Sequence, residues 1–449
     1  MSVAPGRVLG LAEVIFIAVG FTIGAGVFVF TGIVAKMTGP ALPLAYALAG
    51  PLVLLTMLPI AMLGSALPTT GGTYRYPCRM VSPGLAFVGI WVYVLASFFG
   101  QVPLYAISCA QYASELVPGL PIVPAALGLL TFFYLVNLLG LRVATVAQAV
   151  MVLVLLGCLL WYAGSGVAVV DPVHFDGFFQ TGPGNLTLGV ALLTFTYLGA
   201  NGIIELGSEI RSPGRVIPRA IFITFPLVIA VYVLVAIATV GAVSWTSLVD
   251  ADQPLVVAAR VTMGPVGTAF FIVGGAVLGL TTTLNALFIV GTRSLLAMTE
   301  DRMLPAVLGL RSRRFGTPWV LLTAIWVLSV VGVLAGMSLE TLASYATLGG
   351  MMLLFPVLMA AIVLPRRFPD AYRRSAFKLR GPWRWICTGV GFLMVFFFSL
   401  VILVDLASVA RVLVFVLFVV SGLLVYLLRR TWLRRRGIDL SDLSRSGAW

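Results

Sequence analysis

The chain alternates long apolar stretches with short polar connections. Apolar runs cover residues 13–34, 41–66, 84–114, 121–140, 143–164, 186–210, 216–241, 266–299, 318–337, 341–363, 384–405 and 407–430. Each has at least about 20 residues, the length a helix needs to cross about 30 Å of hydrocarbon. Strands of a membrane barrel would alternate over segments of about 10 residues, and no such alternation is present. The pattern predicts an all-α polytopic membrane protein with twelve transmembrane helices. An even count places both ends on one side.

Composition agrees with the pattern. Of 449 residues, 61% are hydrophobic and only 10% charged, with a mean hydropathy of +1.11. A soluble domain carries roughly 25% charged residues. The net charge of +13 could suggest nucleic acid, but its placement argues otherwise. All but three of the 28 basic residues fall in connections on one side; Lys36, Arg260 and Arg411 are the exceptions. Basic residues concentrate on the cytoplasmic side. Both termini, the 68–83 loop and the 366–384 loop are therefore expected in the cytoplasm, in an inner (cytoplasmic) membrane, with no nucleic-acid partner. The first apolar run is longer than a signal-peptide core and lacks a small-residue cleavage site.

Cys78, Cys109, Cys158 and Cys387 are scattered, and the single histidine, His174, has no partner in a metal-ligand spacing. Neither a disulfide framework nor a metalloenzyme is expected. No nucleophile–histidine pair lies at membrane depth, so an enzyme is not expected. A channel would need repeated polar or charged rings along several spans, and these are missing. An ion channel or ion-only cotransporter on the same fold is the alternative from another class.

Two spans are interrupted in the same way. Span 1 carries Gly20-Phe21-Thr22-Ile23-Gly24-Ala25-Gly26, and span 6 carries Leu198-Gly199-Ala200-Asn201-Gly202. Each glycine costs a helix about 1 kcal/mol relative to alanine. Non-helical backbone at membrane depth persists only where it faces protein or a wet cavity. Glycines can also serve close helix packing, but two clusters five spans apart fit an inverted repeat whose broken helices build a midplane site. A broken helix offers N–H groups to a carboxylate at one edge and carbonyls to an ammonium at the other. Facing breaks thus suit the α-amino-acid head group.

Four ordered strings carry a family resemblance. They are Ile23-Gly24-Ala25-Gly26-Val27-Phe28; Pro68-Thr69-Thr70-Gly71-Gly72-Thr73-Tyr74-Arg75-Tyr76; Phe195-Thr196-Tyr197-Leu198-Gly199 leading to Glu209 and the Pro213-Gly214-Arg215-Val216-Ile217-Pro218-Arg219 turn; and Thr283-Leu284-Asn285-Ala286 with Arg293, Asp301 and Pro305. Across about residues 8–430 the chain resembles the amino acid–polyamine–organocation (APC) superfamily of permeases. The resemblance implies a LeuT-like core at 13–363, two inverted five-helix repeats with helices 1 and 6 broken. Two added helices would follow at 384–430, between a short N-terminal segment (1–12) and a basic tail (431–449). It implies a secondary transporter working by alternating access. The substrate carboxylate would meet the N–H groups of Ala25 and Gly26, and its ammonium the carbonyls of Thr22, Phe195 and Leu198. Ile23, Gly24, Gly199 and Asn201 would complete the site, with Phe195 covering it from outside.

Three departures bear on coupling and substrate. Some relatives place a lysine at about Leu155, where an ammonium stands in for a sodium ion; the two lysines here, Lys36 and Lys378, are not placed for that. Span 8 reads Gly279-Leu280-Thr281-Thr282-Thr283, resembling the string with which sodium-coupled transporters of this architecture close a cation site. Carbonyls of Gly20, Ile23 and Leu278 with the hydroxyls of Thr281 and Thr282 form the candidate sodium site, since a hard cation prefers oxygen ligands. Membrane threonines also bond back to their own helix. Glu205, inside span 6, costs at least about 2.5 kcal/mol at that depth and should face a cavity. It suits a proton carrier, a ligand for a cationic side chain, an inside-gate partner for an arginine, or a snorkelling structural carboxylate. The expected function is amino-acid transport, for neutral substrates with sodium symport. The alternative is a cationic amino-acid or polyamine carrier using Glu205, proton-coupled.

Overall fold

The computed structural model describes residues 9–69, 71–139, 144–205, 207–312, 315–406 and 408–442; the side chains of 139, 144–150, 200, 289, 290 and 293 are outside the description. Arg7, Thr70, Arg142 and the tail beyond residue 442, all used in the sequence argument, lie outside the described residues, as does the Arg293 side chain. The helices are α1 (Leu11–Thr38), α2 (Leu42–Ala66), α3 (Gly72–Met80), α4 (Pro83–Ala96), α5 (Val102–Ser114), α6 (Ile122–Leu139), α7 (Ala144–Val167), α8 (Gly182–Tyr197) and α9 (Gly202–Glu205). There follow α10 (Pro213–Ala242), α11 (Trp245–Val249), α12 (Pro254–Phe270), α13 (Leu278–Glu300), α14 (Trp319–Leu334), α15 (Leu339–Arg367), α16 (Pro369–Arg374), α17 (Pro382–Asp405) and α18 (Val409–Arg434). The one extended pairing among the described residues is an isolated parallel bridge between Leu9 and Ile210.

Among the described residues, eight helical runs are long and apolar enough to cross a membrane. Leu11–Ala66, Pro83–Ser114, Gly182–Glu205, Pro213–Ala242, Pro254–Phe288, Leu339–Arg367, Pro382–Asp405 and Val409–Arg434 qualify. The first of these holds two of the expected segments, with the 3-10 turn Gly39–Ala41 separating α1 from α2. Gly39 has φ +56° there, a backbone state that glycine adopts without strain. Three apolar helices are shorter, Ile122–Leu138, Met151–Val167 and Trp319–Leu334, and fall on the expected segments 121–140, 143–164 and 318–337.

Packing separates an inner set of helices from an outer one. The apolar stretch of α1–α2 is 78% buried and that of α15 72%, against 44% for α17 and 17% for α18. Leu393, Leu400 and Val404 on α17, with Val409, Leu417 and Leu428 on α18, are left exposed. A face this apolar suits lipid, where side chains need no polar neighbour. Inside, α1 packs against α8, α10 and α13, and α2 against α10 and α8.

Four local departures from α geometry position the site. Gly24, inside α1, has φ −22° and ψ −115°. The segment after α8 tightens into a 3-10 turn, Leu198–Asn201. Two π turns, Ser97–Gln101 between α4 and α5 and Phe271–Val277 between α12 and α13, were not expected from the sequence. Such insertions cluster at functional sites, because they rotate the following side chains by one position.

Candidate functional site

The two breaks touch. A methyl group on Gly199 would collide with the Phe21 carbonyl, so the 3-10 turn fits against α1 only with glycine there. Gly202 lies against the Phe21 ring and Gly26 against Thr196, where an added Cβ would come within 3.2 Å of the threonine side chain. Gly350 on α15 closes in from the far side, against Phe195 and Leu198. A cavity of about 100 Å³ opens at this meeting point.

Of the residues singled out from sequence, Thr22, Gly26, Phe195, Leu198, Gly199, Asn201 and Glu205 line that cavity. Ile23, Gly24 and Ala25 do not; they sit in the turn of the break behind it. The Ala25 N–H donates to the Thr283 hydroxyl at 2.9 Å, and that hydroxyl donates to the Gly279 carbonyl at 2.9 Å. The Thr22 carbonyl accepts the Tyr232 hydroxyl at 2.6 Å and keeps a second lone pair. The Phe195 ring meets that of Phe30, in the half of α1 beyond the break, at a tilt of 35° with centroids 5.4 Å apart.

The cation candidates are arranged differently. The Thr281 hydroxyl donates to the Val277 carbonyl at 2.8 Å, and that of Thr282 to Gly279 at 2.9 Å. Neither threonine lines the cavity, nor do Gly20, Ile23 or Leu278. A hydroxyl that donates to its own helix still has lone pairs to offer a cation. The α13 threonine that meets the break is Thr283.

Glu205 is 6% exposed and is held at a helix N-terminus. Its carboxylate accepts the Thr73 N–H at 3.0 Å and the Thr73 hydroxyl, while its own carbonyl accepts the Gly71 N–H at 3.3 Å. Gly71, the N-cap of α3, has φ +70°. A carboxylate there satisfies orphan amides and opposes the positive end of the helix. The other end of α3 is tied to α13: Arg79 pairs with Asp301 at 2.9 Å, and the Tyr74 hydroxyl donates to Asp301 at 2.8 Å. Burial pushes the thiol of Cys78, beside that pair, up to about 11.

Sequence reasoning missed Tyr93 on α4, Gln101 in the π turn that follows it, Tyr105 on α5, Thr73 on α3, Thr283 and Ser294 on α13, and Gly350 and Leu353 on α15, all in the cavity wall. Tyr232, which holds the Thr22 carbonyl, was missed too. The π turn that rotates Gln101 inward carries no signature in the sequence.

Comparison with known proteins matches this architecture to one family. A family model described as amino acid permease matches residues 9–428. A branched-chain amino acid permease of Bacillus subtilis (strain 168) is 26% identical over 448 residues, covering 94% of this chain and 92% of the relative. A vacuolar cationic amino acid transporter of Arabidopsis thaliana is 28% identical over 394 residues, 82% of this chain and 65% of the relative. A methylthioribose transporter of Bacillus subtilis (strain 168) is 26% identical over 386 residues, 81% and 82% of the two chains. The chain is a multi-pass membrane protein that belongs to the amino acid permease family, within the APC superfamily.

Proposed function

We propose that this protein carries α-amino acids across the cytoplasmic membrane by alternating access, binding the head group between the broken helices. The observation that carries the reading is the contact of the Gly24 break with the Leu198–Asn201 turn around one cavity. Helix ends there offer N–H groups to a carboxylate and carbonyls to an ammonium, and need no charged side chain to do so. In this reading twelve helices cross the membrane, both termini are cytoplasmic, and two inverted five-helix repeats form the core. Thr283 fixes the Ala25 amide and with it the turn of the break.

Sodium coupling through Gly20, Ile23, Leu278, Thr281 and Thr282 belongs to the same proposal, for neutral substrates. The position of Glu205 in the cavity wall supports a second reading, a cationic amino acid or polyamine with the proton carried on Glu205. Uptake of labelled amino acids into proteoliposomes tests both, in sodium and in choline at two pH values. Amino-acid uptake of any kind supports the carrier reading, and its absence for every amino acid and polyamine contradicts it. Dependence on sodium, on pH or on neither selects symport, proton coupling or exchange.

A further inference from the structure

The cavity wall is rich in unanswered acceptors. Its threonine hydroxyls are all directed inward to protein: Thr22 donates to Ala18, Thr196 to Leu193, Thr283 to Gly279 and Thr73 to Glu205. Two side-chain carbonyls in the same wall have no partner, Gln101 Oε1 and Asn201 Oδ1. Both residues are more than nine-tenths buried, at 7% and 9% exposure. They come from separate elements, the π turn Ser97–Gln101 and the 3-10 turn Leu198–Asn201. Gln101 is held by Tyr105 of the same wall, its Nε2 donating to the Tyr105 hydroxyl at 3.1 Å, so its oxygen is the end left over.

A buried acceptor without a donor is costly, and native interiors rarely keep one away from a functional site. Two in one wall point to a ligand that donates. The α-ammonium of an amino acid is already provided for by the backbone carbonyls at the breaks. The two amides therefore address a different part of the substrate.

We propose that Gln101 and Asn201 are specificity-determining residues whose amide oxygens accept N–H groups of the substrate side chain, so that the carrier selects amide or cationic side chains over aliphatic ones of similar size. The inference rests on the head group binding at the breaks and names the substrate class for that same site. It needs no charge on Glu205, and it is consistent with an apolar remainder of the wall (Leu198, Leu287 and Leu353) that contacts the side chain's methylenes.

The test is equilibrium binding of L-alanine, L-leucine, L-glutamine and L-arginine to the purified full-length protein. Wild type should bind glutamine or arginine at least about tenfold tighter than leucine, the effect of one to two unpaired buried acceptors. In Gln101→Met and in Asn201→Leu, that ratio should fall by about tenfold. Gln101→Glu, which keeps acceptor oxygens and adds charge, should retain the ratio and raise arginine over glutamine. Leucine bound as tightly as glutamine and arginine in wild type overturns the inference, as does a ratio that no variant changes. Either result leaves the head-group reading intact so long as alanine or leucine binds. Failure of all four amino acids to bind instead contradicts the proposed function itself.

Discussion

The Glu205 carboxylate and Thr73 join α9 to α3 through two hydrogen bonds at the N-terminus of α3. The same helix is anchored to α13 by Arg79 and Asp301. Glu205 therefore spans two functions, facing the cavity and holding the helix that borders it. Removing it with Glu205→Ala leaves the Thr73 amide and hydroxyl without their acceptor, a loss of about 1–2 kcal/mol in local stability. Hydrogen exchange of the Thr73 amide should quicken about fivefold to thirtyfold, with exchange in α6 unaffected. Unchanged protection in α3 contradicts the capping role.

The Arg79–Asp301 pair predicts how Cys78 reacts. Because burial raises the Cys78 thiol to about 11, its thiolate fraction is small at neutral pH and keeps growing well above the usual range. Labelling by a maleimide should be slow at pH 7 and rise about tenfold per pH unit up to pH 10. An exposed thiol, by contrast, levels off near pH 9. Asp301→Asn removes a negative charge beside the thiol and leaves the Arg79 charge acting on it, so the Cys78 profile should shift to lower pH while staying above that of an exposed thiol. A wild-type rate that is already flat above pH 9 contradicts the burial of this cluster.

Thr283 is the residue on α13 that meets the break, and a hydroxyl there is what the Ala25 amide requires. Thr283→Ser should retain uptake to within about twofold. Thr283→Val, which preserves shape and removes the hydroxyl, should lower it about tenfold, the effect of a lost hydrogen bond to a buried amide. Equal uptake by the two variants would show that the bond is incidental.

The breaks were legible in sequence because glycine clusters at membrane depth have few purposes. The partners of the breaks were not. Thr281, Thr282 and Thr283 are consecutive on a helix and point about 100° apart, so which of them meets α1 depends on the packing of Gly279 against Gly24, a tertiary matter. Gln101 and Tyr232 sit in strongly apolar helices where one polar residue has no periodic signal, and a π turn decides where Gln101 points. Glu205 was recognisable as a carboxylate that must face something. That it faces the N-terminus of α3 required the fold, because Thr73 lies 132 residues away.

Charge placement makes the orientation testable independently of substrate. All four native cysteines are buried, which keeps background labelling low. Cysteines introduced at Ser2 and Ser444 should react with a membrane-impermeant reagent only from the cytoplasmic side. Reaction of either from outside, in sealed right-side-out vesicles, would contradict the even span count or the orientation.

The central claim is that the amino-acid head group binds the backbone at the breaks, and Gly26 tests it most directly. An added side chain at this position meets Thr196 at 3.2 Å and fills the approach to the amide. The measurement is binding of a transported amino acid and of its methyl ester to wild type and to Gly26→Val, each verified as folded by its melting transition. The account predicts that the ester binds wild type at least about tenfold more weakly than the free acid, since a charge-assisted contact is worth roughly 1.5–3 kcal/mol. It predicts that folded Gly26→Val binds neither. Equal affinity for acid and ester in wild type, together with normal binding by folded Gly26→Val, would contradict it.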